Sequence, residues 1–228
     1  MEALRIIQDE HQSLAAIIHA IRYMIKEIGA GNLQPDFRLL RAMVHYLDAY
    51  PEKKHHPKED QYLFSLLKRH TTEGADAIAR LEQEHAAGDA RIKALEAAMH
   101  QYASGARDGF DAFAEAFNHF AEFYRNHMLL EETVILPLVK KHFTAEDWAA
   151  AEAGFRENAD PMGGTGEPQT HEDFKRIFSR LVAAAPAPIG LGGGPYKDDR
   201  TLIARRRALM TGELTGLALR PCAGRRNV

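Results

Sequence analysis

Apolar residues recur at alternating steps of three and four along most of residues 1–143, the period of amphipathic helices packed against one another. In the first run Leu4, Ile7, His11, Leu14, Ile18, Ile21, Ile25 and Ile28 share a face, which Gly29 and the GNLQPD stretch bring to an end. A second run spans about residues 37–70 and contains Pro51 and Pro57, each of which removes a helix hydrogen bond, so a kink or two half-helices are expected beside HHPKED. The third run, about residues 72–103, places Ile78, Leu81, His85, Gly88, Ile92, Leu95 and Met99 on one seam. The fourth, about residues 108–142, does the same with Phe110, Phe113, Phe117, Phe120, Tyr124, His127, Glu131, Val134 and Leu138. Short connections favour antiparallel neighbours, and the pattern predicts an all-α fold, an up-down-up-down four-helix bundle over residues 1–143.

Beyond the bundle, TAEDWAAAEAGF and THEDFKRIFSRLVAAA each open on Thr-x-x-Asp, a variant of the capping box, and predict short accessory helices within residues 144–185. ENADPMGGTGEPQ between them reads as a loop. From Pro186 the stretch PAPIGLGGGPY breaks regular structure, and residues 186–228 are expected to form a flexible basic tail without a sustained apolar period.

Charged and imidazole side chains interrupt the apolar seams in a repeated order. Laid over one another, HHPKEDQYLFSLLKRH (55–70) and HMLLEETVILPLVKKH (127–142) share His, Glu, Leu, Lys and His at five positions, all 72 residues apart. Glu10-His11 pairs with Glu84-His85, 74 residues apart. Each half of the bundle therefore offers one histidine from its first helix and His-x-x-x-Glu from its second. Residues four apart on a helix are neighbours about 6 Å apart along the axis, so His55 with Glu59, and His127 with Glu131, can grip one inorganic centre. Two carboxylates on apolar seams beside four imidazoles call for a compensating positive charge. Metal ions supply it, and this donor set suits iron, zinc, manganese or copper. Two similar halves with three ligands each predict two metal ions, with both glutamates able to bridge.

Composition removes other classes. The 228 residues carry 45% hydrophobic and 27% charged side chains, and no apolar run approaches the roughly 18 residues of a membrane span. MEALRIIQDEH lacks the basic stretch and apolar core of a secretory signal, so a cytoplasmic chain beginning here is expected. Cys222 is the single cysteine, which leaves no internal disulfide, Cys-based zinc site or CxxC centre. From Tyr196 onward eight Lys/Arg stand against three Asp/Glu, so the formal charge of -3 leaves -8 on the residues before it. An acidic body argues against nucleic acid as the main partner. Nucleophile elbows, Cys/His dyads and phosphate-binding glycine motifs are missing, since GLGGGP lacks a strand-to-helix context.

Glu10-His11, HHPKEDQYLF, EQEHAAG and HMLLEETVILP, in that order, resemble the hemerythrin-like family of HHE cation-binding domains over about residues 1–143. The resemblance implies a bundle enclosing a non-haem di-iron centre, two iron ions held by His11, His55, Glu59, His85, His127 and Glu131. It also implies activities such as reversible oxygen binding, sensing of oxygen, peroxide or nitric oxide, and repair of damaged iron sites. Oxygen carriers of the family have His-x-x-x-His on the third helix, whereas the positions four either side of His85 are Leu81 and Asp89. The four-His, two-Glu set is closer to the iron-centre repair proteins, although their cysteine-containing domain has no counterpart in these residues.

The expected function is a hemerythrin-like di-iron protein that binds or reduces a small diatomic or peroxide ligand with a cellular reductant, under oxidative or nitrosative stress. A metal-dependent sensor or interaction module and an iron storage or delivery protein are the alternatives. A coordination sphere short of a fifth histidine favours reactive chemistry over stable oxygen carriage, with Asp89 as a candidate extra ligand. His56, about 100° round the helix from His55, is expected to point away from the centre. His70 and His142 are expected to meet helix-terminal carbonyls, and His45, His100 and His171 to be solvated or structural. Tyr46, Tyr50, Tyr62 and Tyr124 are expected to pack. His19 and His119, eight residues from His11 and His127, would face each other at a second level if their helices run antiparallel.

Overall fold

A computed structural model describes residues 1–157 and residue 160. The second accessory segment, the tail and His171 lie outside the described residues. Within them the chain is all helical, with no strand. Helix α1 spans Glu2–Gly29 and buries Leu4, Ile7, His11, Leu14, Ile18 and Ile21, the predicted seam. Asp36 caps α2 (Phe37–Leu47), its side chain accepting from the backbone N–H groups of Arg38 and Leu39.

The second run stays helical past both prolines. A π-helical stretch over Asp48–His55 contains Pro51, α3 follows over His56–Glu59, a second π stretch covers Asp60–Phe64, and α4 spans Ser65–His70. The prolines thus produce a widened helix in place of two separate halves. The third run divides at Ala87 into α5 (Ala75–Ala86) and α6 (Gly88–Ala103). Gly74 begins it at φ +76°, a left-handed conformation where a Cβ would also stand 2.6 Å from Leu138 Cδ1. The fourth is α7 (Gly109–Leu130), a π stretch over Glu131–Ile135, and α8 (Leu136–His142). The π stretches at Asp60–Phe64 and Glu131–Ile135 fall within one residue of each other in the 72-residue repeat.

Packing joins α6 to α7 and α2, α1 to α2 and α7, and α4 to α8. The last described helix, α9 (Ala145–Arg156), opens on a complete Thr144/Asp147 capping box, as the sequence predicts, and lies against α1 and the Asp60–Phe64 stretch. Two apolar clusters result. One gathers Leu14, Ile17, Ile21, Leu40, Phe113, Phe117 and their neighbours. The other gathers Leu4, Ile7, Leu63, Phe64, Leu81, Ile135 and Phe155. No helix among the described residues is long and apolar enough to cross a membrane.

Candidate metal centre

A polar layer separates the two clusters. On α1, Glu10 and His11 lie between Ile7 and Leu14; on the second run His55 and Glu59 lie between Tyr50 and Leu63; the third and fourth runs set His85 and His127–Glu131 at the same depth. All six side chains predicted as ligands meet there, each 4% exposed or less.

The imidazoles turn their Nε2 atoms inward. His85 Nε2 and His127 Nε2 are 3.2 Å apart. Glu59 lies between the two sides: its Oε1 is 3.3 Å from His55 Nε2 and 3.9 Å from His11 Nε2, while Oε2 is 3.7 Å from His85 Nε2. Glu131 divides in the same manner, with Oε2 3.4 Å from His11 Nε2 and Oε1 3.0 Å from His127 Nε2.

The outward Nδ1 atoms each donate to a carboxylate. His55 reaches Glu10 at 2.5 Å, His127 reaches Glu84 at 2.8 Å, His85 reaches Asp60 at 2.8 Å and His11 reaches Glu132 at 3.0 Å. A carboxylate on Nδ1 fixes the tautomer that presents Nε2 to a cation and raises its basicity. These four acids escape a search for ligand types alone. Their signal is the acid beside four of the six predicted residues, repeated as Glu10-His11 with Glu84-His85 and as Glu59-Asp60 with Glu131-Glu132.

A fifth imidazole joins them, against the sequence expectation. His56 is 2% exposed, and one of its ring nitrogens lies within 4.8 Å of donor atoms of Glu59, His85 and His127. His56 opens α3 directly after the π stretch, and its ring stacks on His85 of the third run and Tyr124 of the fourth, so tertiary packing holds it inward. Glu52 Oε2 accepts from its Nδ1 at 3.1 Å, and Glu52 Oε1 accepts from the Tyr124 hydroxyl. Asp89, by contrast, is exposed and pairs with Lys93, and Leu81 belongs to the apolar cluster.

Electrostatics follow from this crowding. Burial disfavours the charged form of His11, but the neighbouring carboxylates of Glu131 and Glu132 lift it to about 9. His85 is raised to about 9 against the same penalty by Asp60, Glu131 and Glu59. Burial also opposes Glu10, yet His55, Lys58 and Tyr50 hold its carboxyl at about 2. His56 goes the other way: burial and the neighbouring His85, His127 and His55 depress it, so the ring stays neutral.

Fit to a cation can be judged from what the side chains lack. His11 Nε2, His55 Nε2 and both carboxylate oxygens of Glu59 and Glu131 are buried without a hydrogen-bond partner. Orphaned donors and acceptors are costly in a protein interior. Their clustering in two groups, His11–His55–Glu59 and His56–Glu59–His85–His127, suits cations bound between them.

The family model of the hemerythrin HHE cation binding domain matches residues 2–139. The chain belongs to this family. Hemerythrin HHE domains bind metal cations, and among the described residues the buried His/Glu cluster could hold them. No curated protein and no solved structure shows significant similarity to the chain.

The remaining histidines lie away from the cluster. His19 and His119 are on exposed faces, His119 being 3.9 Å from Glu115, so they do not form a second buried level. His70 meets Asp147 at 2.8 Å and His142 meets Glu73 at 3.7 Å, carboxylates in place of the expected carbonyls. His45 and His100 are exposed. Tyr50 and Tyr124 do more than pack, since their hydroxyls donate to Glu10 and Glu52.

Proposed function

We propose that this chain is a non-haem di-iron protein of hemerythrin type. It binds or reduces oxygen, peroxide or nitric oxide in the cytoplasm, drawing electrons from a cellular reductant under oxidative or nitrosative stress. His11, His55, Glu59, His85, His127 and Glu131 hold the two ions. The observation that carries this reading is the division of both glutamates: each turns one oxygen toward the His11 side and the other toward the His85 side, as bridging ligands must. Iron bound there supplies a redox-active centre able to exchange electrons with a small ligand. The protein's own part is to orient the imidazoles through Glu10, Glu84, Asp60 and Glu132, and to keep water away with apolar clusters above and below. An up-down-up-down bundle is supported by the order of those clusters, because successive runs pass through them in alternating sense.

The sensor reading has one observation in its favour. Helix α9 touches the π stretch next to Glu59, and its Phe155 ring lies 6.5 Å from the His55 ring, so a change at the centre could reach α9.

The deciding experiment is elemental analysis with optical spectra, before and after oxygen or nitric oxide, of the wild type and of Glu59→Ala and Glu131→Ala. About two irons per wild-type chain and clear loss in both variants are expected. Full metal retention in both variants would remove the ligand assignment.

A further inference from the structure

We infer that α9 is a lid over the His55 side of the polar layer, and that its opening sets how fast metal ions and small ligands pass in and out. The inference rests on the two-metal reading above. The helix begins beyond residue 139, where the hemerythrin domain ends, and stands outside the four repeated runs. It lies across α1, which carries His11, and the Asp60–Phe64 stretch, which follows Glu59. Phe155 is its plug. The fully buried ring stands edge-on to His55 (6.5 Å, 71°), and the Lys58 ammonium lies 5.2 Å from its centroid. Lifting Phe155 opens to solvent the His55 imidazole and the Glu10–Lys58 pair beside it.

The fastening of α9 is light and concentrated at its ends. Ala151 and Phe155 are its fully buried apolar side chains, and Trp148 is partly buried against Phe143. At the start of the helix Asp147 meets His70 at 2.8 Å and Arg69 at 3.5 Å. At its end Arg156 pairs with Glu2, whose backbone N–H donates to Glu152 at 2.9 Å. Ion pairs with so much solvent around one partner contribute little each. A 12-residue helix is marginal alone in water, so α9 keeps its shape by staying docked. Segments held by few buried apolar contacts open far more often than the whole chain unfolds.

Gly154 couples the helix to its seat. A Cβ there would stand 2.3 Å from Cδ2 and Cε2 of Tyr62, in the stretch that follows Glu59. Glycine weakens a helix by itself, yet here it lets the Tyr62 ring come up to the α9 backbone, so the closed position is shape-matched while the free helix is disfavoured. The competing account is a fifth helix that only completes the smaller apolar cluster. The two accounts differ in when α9 opens: a core helix opens with the whole bundle, whereas a lid opens while the four runs stay folded.

The test uses the full chain. Hydrogen exchange of the metal-free protein is expected to show the α9 amides opening while those of α7 stay protected, and Gly154→Val to speed exchange in α9 alone. Protein loaded with two equivalents of Co(II) is then mixed with excess EDTA and release is followed by visible absorption. Release from Gly154→Val is expected to be about fivefold faster or more than from the wild type. Its equilibrium affinity for Co(II) should stay nearly unchanged, because entry speeds up by the same factor. Ile21→Val, which loosens the other apolar cluster, should release at the wild-type rate. Three results would overturn the lid and leave the two-metal reading standing: α9 amides that exchange only together with those of α7, an opened α9 that leaves release unchanged, or faster release matched by an equal loss of affinity. A wild type that takes up fewer than two Co(II) would overturn both. Should Gly154→Val fail to fold, the wild-type exchange pattern of α9 against α7 decides alone.

Discussion

Replacing Glu10 with alanine strips His55 of its Nδ1 partner and leaves the Lys58 ammonium, 7% exposed and 2.9 Å from Glu10 Oε1, buried without a counter-charge. Breaking such a pair from one side costs about 3–5 kcal/mol. Losing the orienting carboxylate lowers metal affinity about 10–100-fold. Urea unfolding of the metal-free variant reads the first effect and Co(II) titration the second; Glu10→Ala,Lys58→Met should recover stability without recovering affinity. Protons and metal compete at the same imidazoles. His11 and His85 are lifted from 6.5 to about 9, so metal must displace protons at neutral pH and Co(II) affinity should climb between pH 6.5 and 9. Stability of the metal-free protein runs the opposite way. A raised folded-state pKa stabilises fully below 6.5, and that contribution is lost as pH rises through 9, so its melting temperature should fall across the window in which affinity grows. A calorimetric scan series that found both quantities moving together would contradict this assignment of charge.

At the level of elements, the π stretches decide which residues face inward. Closing i→i+5 hydrogen bonds accommodates an extra residue, and it does so over Asp48–His55, Asp60–Phe64 and Glu131–Ile135, around or directly after histidines and glutamates of the polar layer. Deleting exposed Lys54 should return the first stretch to ordinary α pitch and turn His55, His56 and Glu59 by about 100° relative to α2. Metal content should drop below half of wild type while helicity by circular dichroism stays close to it. Substituting Lys54 by alanine keeps the register, and metal content should then be retained. Loss of metal in both would mean that Lys54 matters for another reason than spacing.

Across the whole molecule, the centre is sealed by two apolar clusters built from residues between Ala3 and Phe155. Phe117 is fully buried in the larger one, and truncating it to alanine should cost about 3–5 kcal/mol in urea unfolding. The site residues also fall within this span. A chain ending at Ala185 should therefore hold the same amount of metal and melt within a few degrees of the full chain. Loss of metal or solubility on that truncation would make residues 186–228 part of the fold.

The sequence by itself determined the four amphipathic runs, the capping box of α9 and six of the residues that meet in the polar layer. These are local or periodic signals: burial on one helix face repeats at 3.6 residues, and a His or Glu on that face must lie inside. Tertiary structure alone decided what depends on side chains distant in the chain. Which acid meets which Nδ1 is settled between elements, as with His11 and Glu132, 121 residues apart. That His56 would share the buried layer was not legible, because its neighbours there, His85 and His127 on other runs and Glu52 at its Nδ1, meet it only in the assembled bundle. The role of Gly88 was illegible for a similar reason: only the assembled bundle brings the Glu52 carboxylate to the point its missing side chain would have filled.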